Sequence, residues 1–402
     1  MKLISASFFT TLSWQQSFRA LLYLFFGVKA GRVEELEKEV SKLVGLKYSR
    51  AFYNCRSALY HGLKASGIKE GDEIIIQAYT CVSVVNSIKA LGAKPVYVDI
   101  KKEDLNINPD LVEAKISGRT KAIIVQHNFG LPADLDKIGE IAVRHGLFLV
   151  EDCAHALGAK IGNKLVGSNG KFSVFSFGRD KVISGVNGGV LATDDQSLFA
   201  KLPELSLPSK ALIKKNLLYP LIANLSRTTY YFLSLGKVII ALSRKLKLIP
   251  EVTSAKENNC QDLQILNYAM PEALAGLILN ELKNLNKVNQ HRRKLADLYA
   301  SNLKKVKFVY PRQADNFNIF LRFVILTERK KEIYLKFKKQ GVILGDWYDQ
   351  AVAPKKASLT QADYTLGSCP IAEEMARLTL NLPNHQGVTK SVAEKIIKLL
   401  NE

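Results

Sequence analysis

Long apolar runs are missing from this 402-residue chain. No stretch reaches the roughly 20 consecutive apolar residues that span a bilayer, so no transmembrane helix is expected. A signal peptide fits poorly, since Lys2 is the only base ahead of the first apolar stretch and no small-residue cleavage site follows. Cysteine is scarce: Cys55, Cys81, Cys153, Cys260 and Cys369 are scattered with no CxxC pair. That argues against a disulfide framework or a cysteine zinc site and for a reducing, cytoplasmic compartment. The six histidines show no HExxH or comparable ligand spacing. There is no P-loop, no G-x-G-x-x-G preceded by a strand, no internal repeat and no low-complexity tract. Acid is in short supply too. Against 57 Lys and Arg stand 37 Asp and Glu, a net charge of +20.

What is present alternates. Residues 73–77, 95–99, 122–126 and 147–151 are short apolar runs of strand length. Helical spacings at 34–46, 57–65, 82–91 and 135–145 flank or separate them. This pattern predicts an α/β fold, with a mostly parallel central sheet carrying helices on both faces. The stretch 281–303 predicts one long helix, leading to a smaller C-terminal α+β domain with strands in 317–326 and a helix over 331–339. The expected organisation is an apolar basic segment over 1–30, a large domain over 31–280 and a connecting helix with the small domain over 281–402.

Chemistry concentrates around Lys181, in Phe175-Ser176-Phe177-Gly178-Arg179-Asp180-Lys181 and on to Gly188-Gly189. Upstream lies Val150-Glu151-Asp152-Cys153-Ala154-His155. A lone lysine before Gly-Gly is ordinarily a surface residue, and a lone Asp ending a strand is ordinarily a turn or cap. The joint pattern is how one large group of enzymes holds pyridoxal 5'-phosphate (PLP). A lysine amine forms a Schiff base with the cofactor aldehyde and, once released, moves a proton between carbons. PLP stores electrons only with its ring nitrogen protonated, so a carboxylate such as Asp152 must face it. The phosphate needs backbone N–H groups, a hydroxyl and a helix N-terminus. Ser176 and the segment Asn54-Cys55-Arg56-Ser57, just before a helical pattern, offer them.

The chain resembles the DegT/DnrJ/StrS family of PLP-dependent sugar aminotransferases, of fold-type I. The likeness runs from about Gly31 to the C-terminus apart from one inserted block. It rests on these residues and on Gly71-Asp72-Glu73, Gly92-Ala93-Lys94-Pro95, His127-Asn128-Phe129-Gly130, Leu266-Asn267-Tyr268, Arg293-Lys294-Leu295-Ala296 and Leu382-Pro383-Asn384-His385. The resemblance implies an aminotransferase that moves an amino group, from glutamate as usual donor, to a keto-sugar, nucleotide-activated, for glycan biosynthesis. It implies Lys181 as Schiff-base lysine and proton shuttle, Asp152 at the pyridine nitrogen and His155 beside the ring. Ser176 and the backbone at Cys55 and Arg56 would hold the phosphate. Asn267 would reach across a homodimer interface to the partner's cofactor. Alternatives are a non-sugar ketone substrate, or a PLP-binding, membrane-associated regulatory protein without turnover.

The sequence also departs from the family pattern. Asn54-Cys55-Arg56 stands where Ser-Gly-Thr is usual, and Arg56 either pairs with the phosphate or points away as a structural residue. Cys81 replaces a common aromatic, Gly178 a common His, Asn187 a common Glu and Ala269 a common Arg.

Charge is the second signal. Residues 1–30 carry Lys2, Arg19 and Lys29 and no acid. Residues 201–250 carry nine Lys or Arg against Glu204 alone. Both segments are strongly apolar, and the second, about 200–260, reads as an insertion into the family core. Apolar and basic without spanning length suits a helix lying on a membrane interface. The other reading is a dimer interface or a lid packed on the core. A pI near 9.6 permits contact with nucleic acid, but no recognisable motif supports that, and nucleic acid is not expected as a partner.

Overall fold

The structure is a computed structural model and describes residues 3–6, 13–251, 253–261, 267–311 and 316–402. Lys2, the insertion's far end at Asp262 and the family-like Leu266 lie outside the described residues.

Seven strands form the central sheet: β1 Tyr48–Phe52, β2 Glu73–Gln77, β3 Lys94–Val98, β4 Thr120–Gln126, β5 Phe148–Asp152, β6 Phe172–Ser176 and β7 Gly189–Thr193. Their order is β1-β7-β6-β5-β4-β2-β3. Only β7 runs against the others, since it pairs antiparallel with both β1 and β6 while the remaining pairs are parallel. The strand expectations hold to within about two residues.

The helices are α1 Trp14–Phe26, α2 Arg32–Val44, α3 Cys55–Ala65, α4 Val82–Lys89, α5 Leu135–Arg144, α6 Gln196–Ala200 and α7 Lys210–Thr228. They continue with α8 Leu235–Lys245, α9 Ala255–Asn258, α10 Glu272–Leu282, α11 Leu285–Asn302, α12 Lys330–Lys339, α13 Pro370–Leu378 and α14 Lys390–Asn401. Strand β2 shows why both sheet faces are covered. Ile74 and Ile76 join the cluster containing Leu59, Leu63, Val85 and Ile88 of α3 and α4. Ile75, one residue out of phase, joins Ile138, Ile141 and Ala142 of α5. A period of two on a strand buried on both sides leaves no polar face. Each such isoleucine contributes about 1.5–3 kcal/mol on burial, before chain entropy.

The C-terminal part adds a small antiparallel sheet of β8 Lys307–Val309, β9 Phe323–Leu326 and β10 Thr379–Leu382. Its Phe323, Ile325 and Leu380 belong to the same buried cluster as α3 and α4, so one core runs through both parts. One sequence expectation needs correction. The helix over 281–303 is two helices, broken at Lys283–Asn284. Helix α10 is buried through Ala273–Leu279 whereas α11 buries only one stripe, and the break lets the chain turn between these environments. The strands expected in 317–326 are two, at Asn316–Phe317 and Phe323–Leu326. Asn316–Phe317 pairs with Lys160–Ile161, and the intervening residues bend at Phe320 (φ 46°) before β9 begins. Pro220, read as interrupting the apolar run, sits inside the 19-residue α7.

Helix α1 packs along α7, and α7 along α8. The N-terminal and inserted segments thus form one layer beside the sheet. Among the described residues, no helix is long and apolar enough to cross a membrane.

Candidate active site

Strand polarity places the site. Strands β1, β4, β5 and β6 all end at one edge, and β7, running backwards, begins there. Open α/β sheets bind ligands at such a carboxyl edge. A cavity of about 510 Å³ opens at it, lined by Cys55, Arg56, Asp152, His155, Ser176 and Lys181. Six of the seven candidate residues therefore meet. Asn267 does not: its Oδ1 lies 2.9 Å from His61 Nε2, and it lines a separate cleft with Lys64 and Lys201.

Lys181 lies in the loop between β6 and β7. That loop is pinned at its base by Phe177 N–H donating to Gly188 O (2.9 Å) and Gly185 N–H to Phe177 O (3.0 Å). Arg292, fully buried on α11, donates to the carbonyl of the next residue, Val182 (3.2 Å), and to Leu321 and Asn384. Burial pulls its guanidinium down to about 9, and neighbouring Arg322 adds to that. On the other side of the lysine, Asp180 accepts from Arg322 at 2.7 Å. Burial pushes the Asp180 carboxyl up, but Lys181 and Arg322 outweigh it and hold it below the usual range. The lysine backbone is thus gripped on both sides by buried arginines, one through a carbonyl and one through a carboxylate.

Asp152 ends β5. Its Oδ1 accepts from Ala154 N–H (3.0 Å) and its Oδ2 from Gln126 Nε2 (3.1 Å). Burial raises its pKa above the ordinary carboxylate value, although Ala154, Lys181 and Gln126 all pull the other way. A buried carboxylate raised by desolvation and facing a cavity gains from a cationic ligand. Glu151, one residue earlier, faces the other side. It accepts from Gly167, Asn169 and Gly170 N–H and from His127, locking the following loop.

His155 stacks on Phe129 (5.7 Å, 13°) and on Tyr348 (6.1 Å, 24°). Burial, then the charges of Lys181 and Arg322, drive its pKa well below the usual value. Its imidazole is neutral. Nδ1 accepts from Phe129 N–H at 3.4 Å, so the proton sits on Nε2.

The first turn of α3 closes the cavity opposite Asp152. Asn54 caps it, accepting from Ser57 N–H (2.9 Å), so the positive end of the helix, at Cys55 and Arg56, meets the cavity. The turn approaches β7 so closely that a Cβ on Gly189 would stand 2.5 Å from Cys55 Cα; only glycine fits. The Cys55 thiol is pushed far up by burial and by Asp152, so it is a neutral packing group. The Arg56 guanidinium pairs with Glu257 of α9, inside the inserted block, while still lining the cavity. Cys81 lines the wall where an aromatic is common, and aromatic surface comes instead from Trp347 and Tyr348.

The inserted block also reaches the site. Tyr219 of α7 lines the cavity, with the Arg179 guanidinium 4.0 Å over its ring. Arg179 also donates to Pro250 O. Asn187 lines the mouth and its amide reaches Asn216 of α7 (3.5 Å), which in turn donates to Tyr53 OH (2.8 Å). Helix α7 thus forms part of the cavity wall. Sequence reasoning missed Gln126, Asp180, Arg292, Arg322, Tyr219 and Tyr348. Asp180 adjoins the lysine and was within reach. Gln126 closes the run 122–126 and carried the same strand-end signal as Asp152, whereas the others come from distant segments and carry no local signal.

The family's sequence profile, DegT/DnrJ/EryC1/StrS aminotransferase family, matches residues 16–220 and 241–401. The chain belongs to this family. It is an aminotransferase. It is 41% identical over 179 residues to the spore coat polysaccharide biosynthesis protein SpsC of Bacillus subtilis (strain 168), a match covering 44% of this chain and 46% of that protein. It is 27% identical over 378 residues to GDP-perosamine synthase of Escherichia coli O157:H7, covering 93% of this chain and 90% of that one. Helicobacter pylori PseC, an aminotransferase involved in the biosynthesis of pseudoaminic acid, shares the fold, with a TM-score of 0.76 at 21% identity, covering 98% of each chain. The expected fold-type I architecture is borne out.

Proposed function

We propose that this enzyme transfers an amino group from glutamate to the ketone of a nucleotide-activated sugar, for glycan biosynthesis, using pyridoxal 5'-phosphate at the carboxyl edge of the sheet. The observation that carries this is the meeting of Lys181, Asp152 and the first turn of α3 in one cavity. The residues fit the cofactor. Asp152 is a buried carboxylate that a protonated pyridine nitrogen would neutralise. The first-turn backbone of α3 at Cys55 and Arg56, with Ser176, suits a phosphate. The neutral His155, protonated on Nε2, has a donor for the ring's oxygen edge.

When bound, the cofactor supplies an electron sink for the carbon that changes its protonation. The chain's own residues do the rest. The Lys181 amine takes a proton from the donor carbon and delivers one to the acceptor carbon. Asp152 keeps the ring nitrogen charged. Tyr219 and the surrounding inserted residues exclude water from the mouth. The sugar assignment is supported by the names of SpsC and GDP-perosamine synthase.

The test is turnover. Protein supplied with PLP and glutamate, then with a panel of nucleotide-linked keto-sugars, should form an amino sugar from at least one. If glutamate is consumed in a half-reaction and no keto-sugar is ever aminated, the acceptor is a non-sugar ketone.

The same reading makes the enzyme a homodimer in which Asn267 serves the partner's cofactor. Coexpressed Lys181→Ala and Asn267→Ala chains should then regain activity that neither has alone, because one site of the mixed dimer is intact. No recovery would mean that each chain builds its site alone.

A further inference from the structure

We propose that helix α8 and the turn before it form a docking surface for anionic lipid bilayers. The turn and the first half of α8 lie where the chain leaves its family's pattern, since the profile skips residues 221–240. Helix α8 has three faces. Gly236 and Ser243 are buried, with Ile239 and Ile240 half-buried beside them, and this face meets α7. A Cβ on Gly236 would stand 2.1 Å from Ser226 O, so glycine permits the close approach.

A second stripe is apolar and bare. Leu235, Val238, Leu242 and, just past the helix, Leu246 follow one another at spacings of three and four and are 43–57% exposed. At the near end Phe232 (66%) and Leu233 (88%) project from the turn. The third face is basic, with Lys237, Arg244 and Lys245, and Lys247 follows. Among the described residues none of these four pairs with a carboxylate. From Leu205 to Pro250 there is no acidic residue and there are eight Lys or Arg.

Charge selects the occupant. A two-fold interface sets a patch against its own copy. This patch would then bring two acid-free basic faces within a screening length of about 8–10 Å, where they repel. An anionic partner is required instead. A rigid protein would need a pit shaped for each projecting side chain, whereas a bilayer interface yields around Phe232 and Leu233 while its headgroups take the bases. Because α7 and Pro250 also touch the site, docking would hold the cavity mouth at the bilayer surface. The inference is independent of which substrate is aminated.

The experiment is flotation of the purified full-length protein with two kinds of vesicle, phosphatidylcholine alone and phosphatidylcholine mixed with phosphatidylglycerol, at low and high salt. Binding is expected to the mixed vesicles only and to fall with salt. Phe232→Ser with Leu233→Ser should weaken it about tenfold or more, as should Arg244→Glu with Lys245→Glu. Both double variants should keep a parent-like melting profile and glutamate half-reaction, because these side chains lie on the surface. No binding to the mixed vesicles, or binding indifferent to both double variants, overturns the proposal. So does finding that the parent binds no lipid and that its assembly dissociates in the Phe232→Ser, Leu233→Ser variant, which assigns the face to a second copy.

Discussion

Replacing Lys181 with alanine is expected to lower amino transfer on the order of 10^4-fold. The loss should be in kcat, since the lysine moves the proton and does little to hold the substrate. The variant should fold. Its neighbours Asp180 and Val182 stay anchored by Arg322 and Arg292, which bond to a carboxylate and a backbone carbonyl and not to the lysine. Absorbance supplies a second readout. With added PLP the parent should show the visible band of a lysine-bound cofactor, and glutamate should bleach it. The variant should lack that band. Borohydride reduction should add the cofactor's mass to the peptide containing Lys181 in the parent alone. A reduced parent that carries the label on another lysine would overturn the assignment. A parent with no band even in excess PLP would mean that the cavity holds something else.

Asp152→Asn should lower turnover on the order of 10^3-fold while leaving the visible band in place. The amide has nearly the same shape and retains a partner in Gln126, but it carries no charge to keep a ring nitrogen protonated. Stability should respond in the opposite sense. Burial raises the Asp152 pKa above its ordinary value of 3.8. Between the unfolded and the folded pKa the native state binds more protons, so stability falls as pH rises through that window. At neutral pH the cofactor-free parent therefore carries the cost of a desolvated carboxylate, and the amide variant does not. Cofactor-free Asp152→Asn should have a urea midpoint at least equal to the parent's at pH 7. The two should converge below about pH 3, where the parent's carboxyl is protonated in both states. A variant much less stable than the parent at pH 7 would make Asp152 a structural residue first.

The bond network explains why activity and stability are expected to part in these variants. The Lys181 loop is held by neighbours that do not need its amine, and the Asp152 backbone is held by the pairing of β5 with β4 and β6. The backbone beside the lysine is fixed by arginines from α11 and from the start of β9. Sites of this kind keep their geometry when the reacting atoms are removed.

The proposed catalytic pair was legible in the sequence because both residues lie at strand ends. Asp152 closes an apolar run and Lys181 follows another, and strand ends in an open parallel sheet share one edge. Asn54 was legible as a cap for the same local reason. Arg56 was not decided locally. Its neighbours suit a phosphate site, and only the arrival of Glu257, some two hundred residues later, shows where its guanidinium rests. Arg322 and Tyr348 were out of reach, since the folding of the C-terminal part onto the large sheet brings them to the cavity. The inserted block divides. Composition marked it as apolar and basic throughout, yet α7 turns residues such as Tyr219 into the cavity wall while α8 leaves its leucines bare.

Alternation of apolar runs with helical spacings determined the α/β class, because a strand buried on both faces and a one-sided helix write different periods into the chain. Local residue chemistry at the strand ends carried the proposal of a cofactor class for the same reason: the candidate groups are set by the elements they terminate. Tertiary structure alone decided the break at Lys283–Asn284, the partner of Arg56, the arginine grip on the lysine loop and which half of the insertion faces solvent. Each depends on contacts between segments far apart in sequence, and such contacts leave no periodic trace in either one.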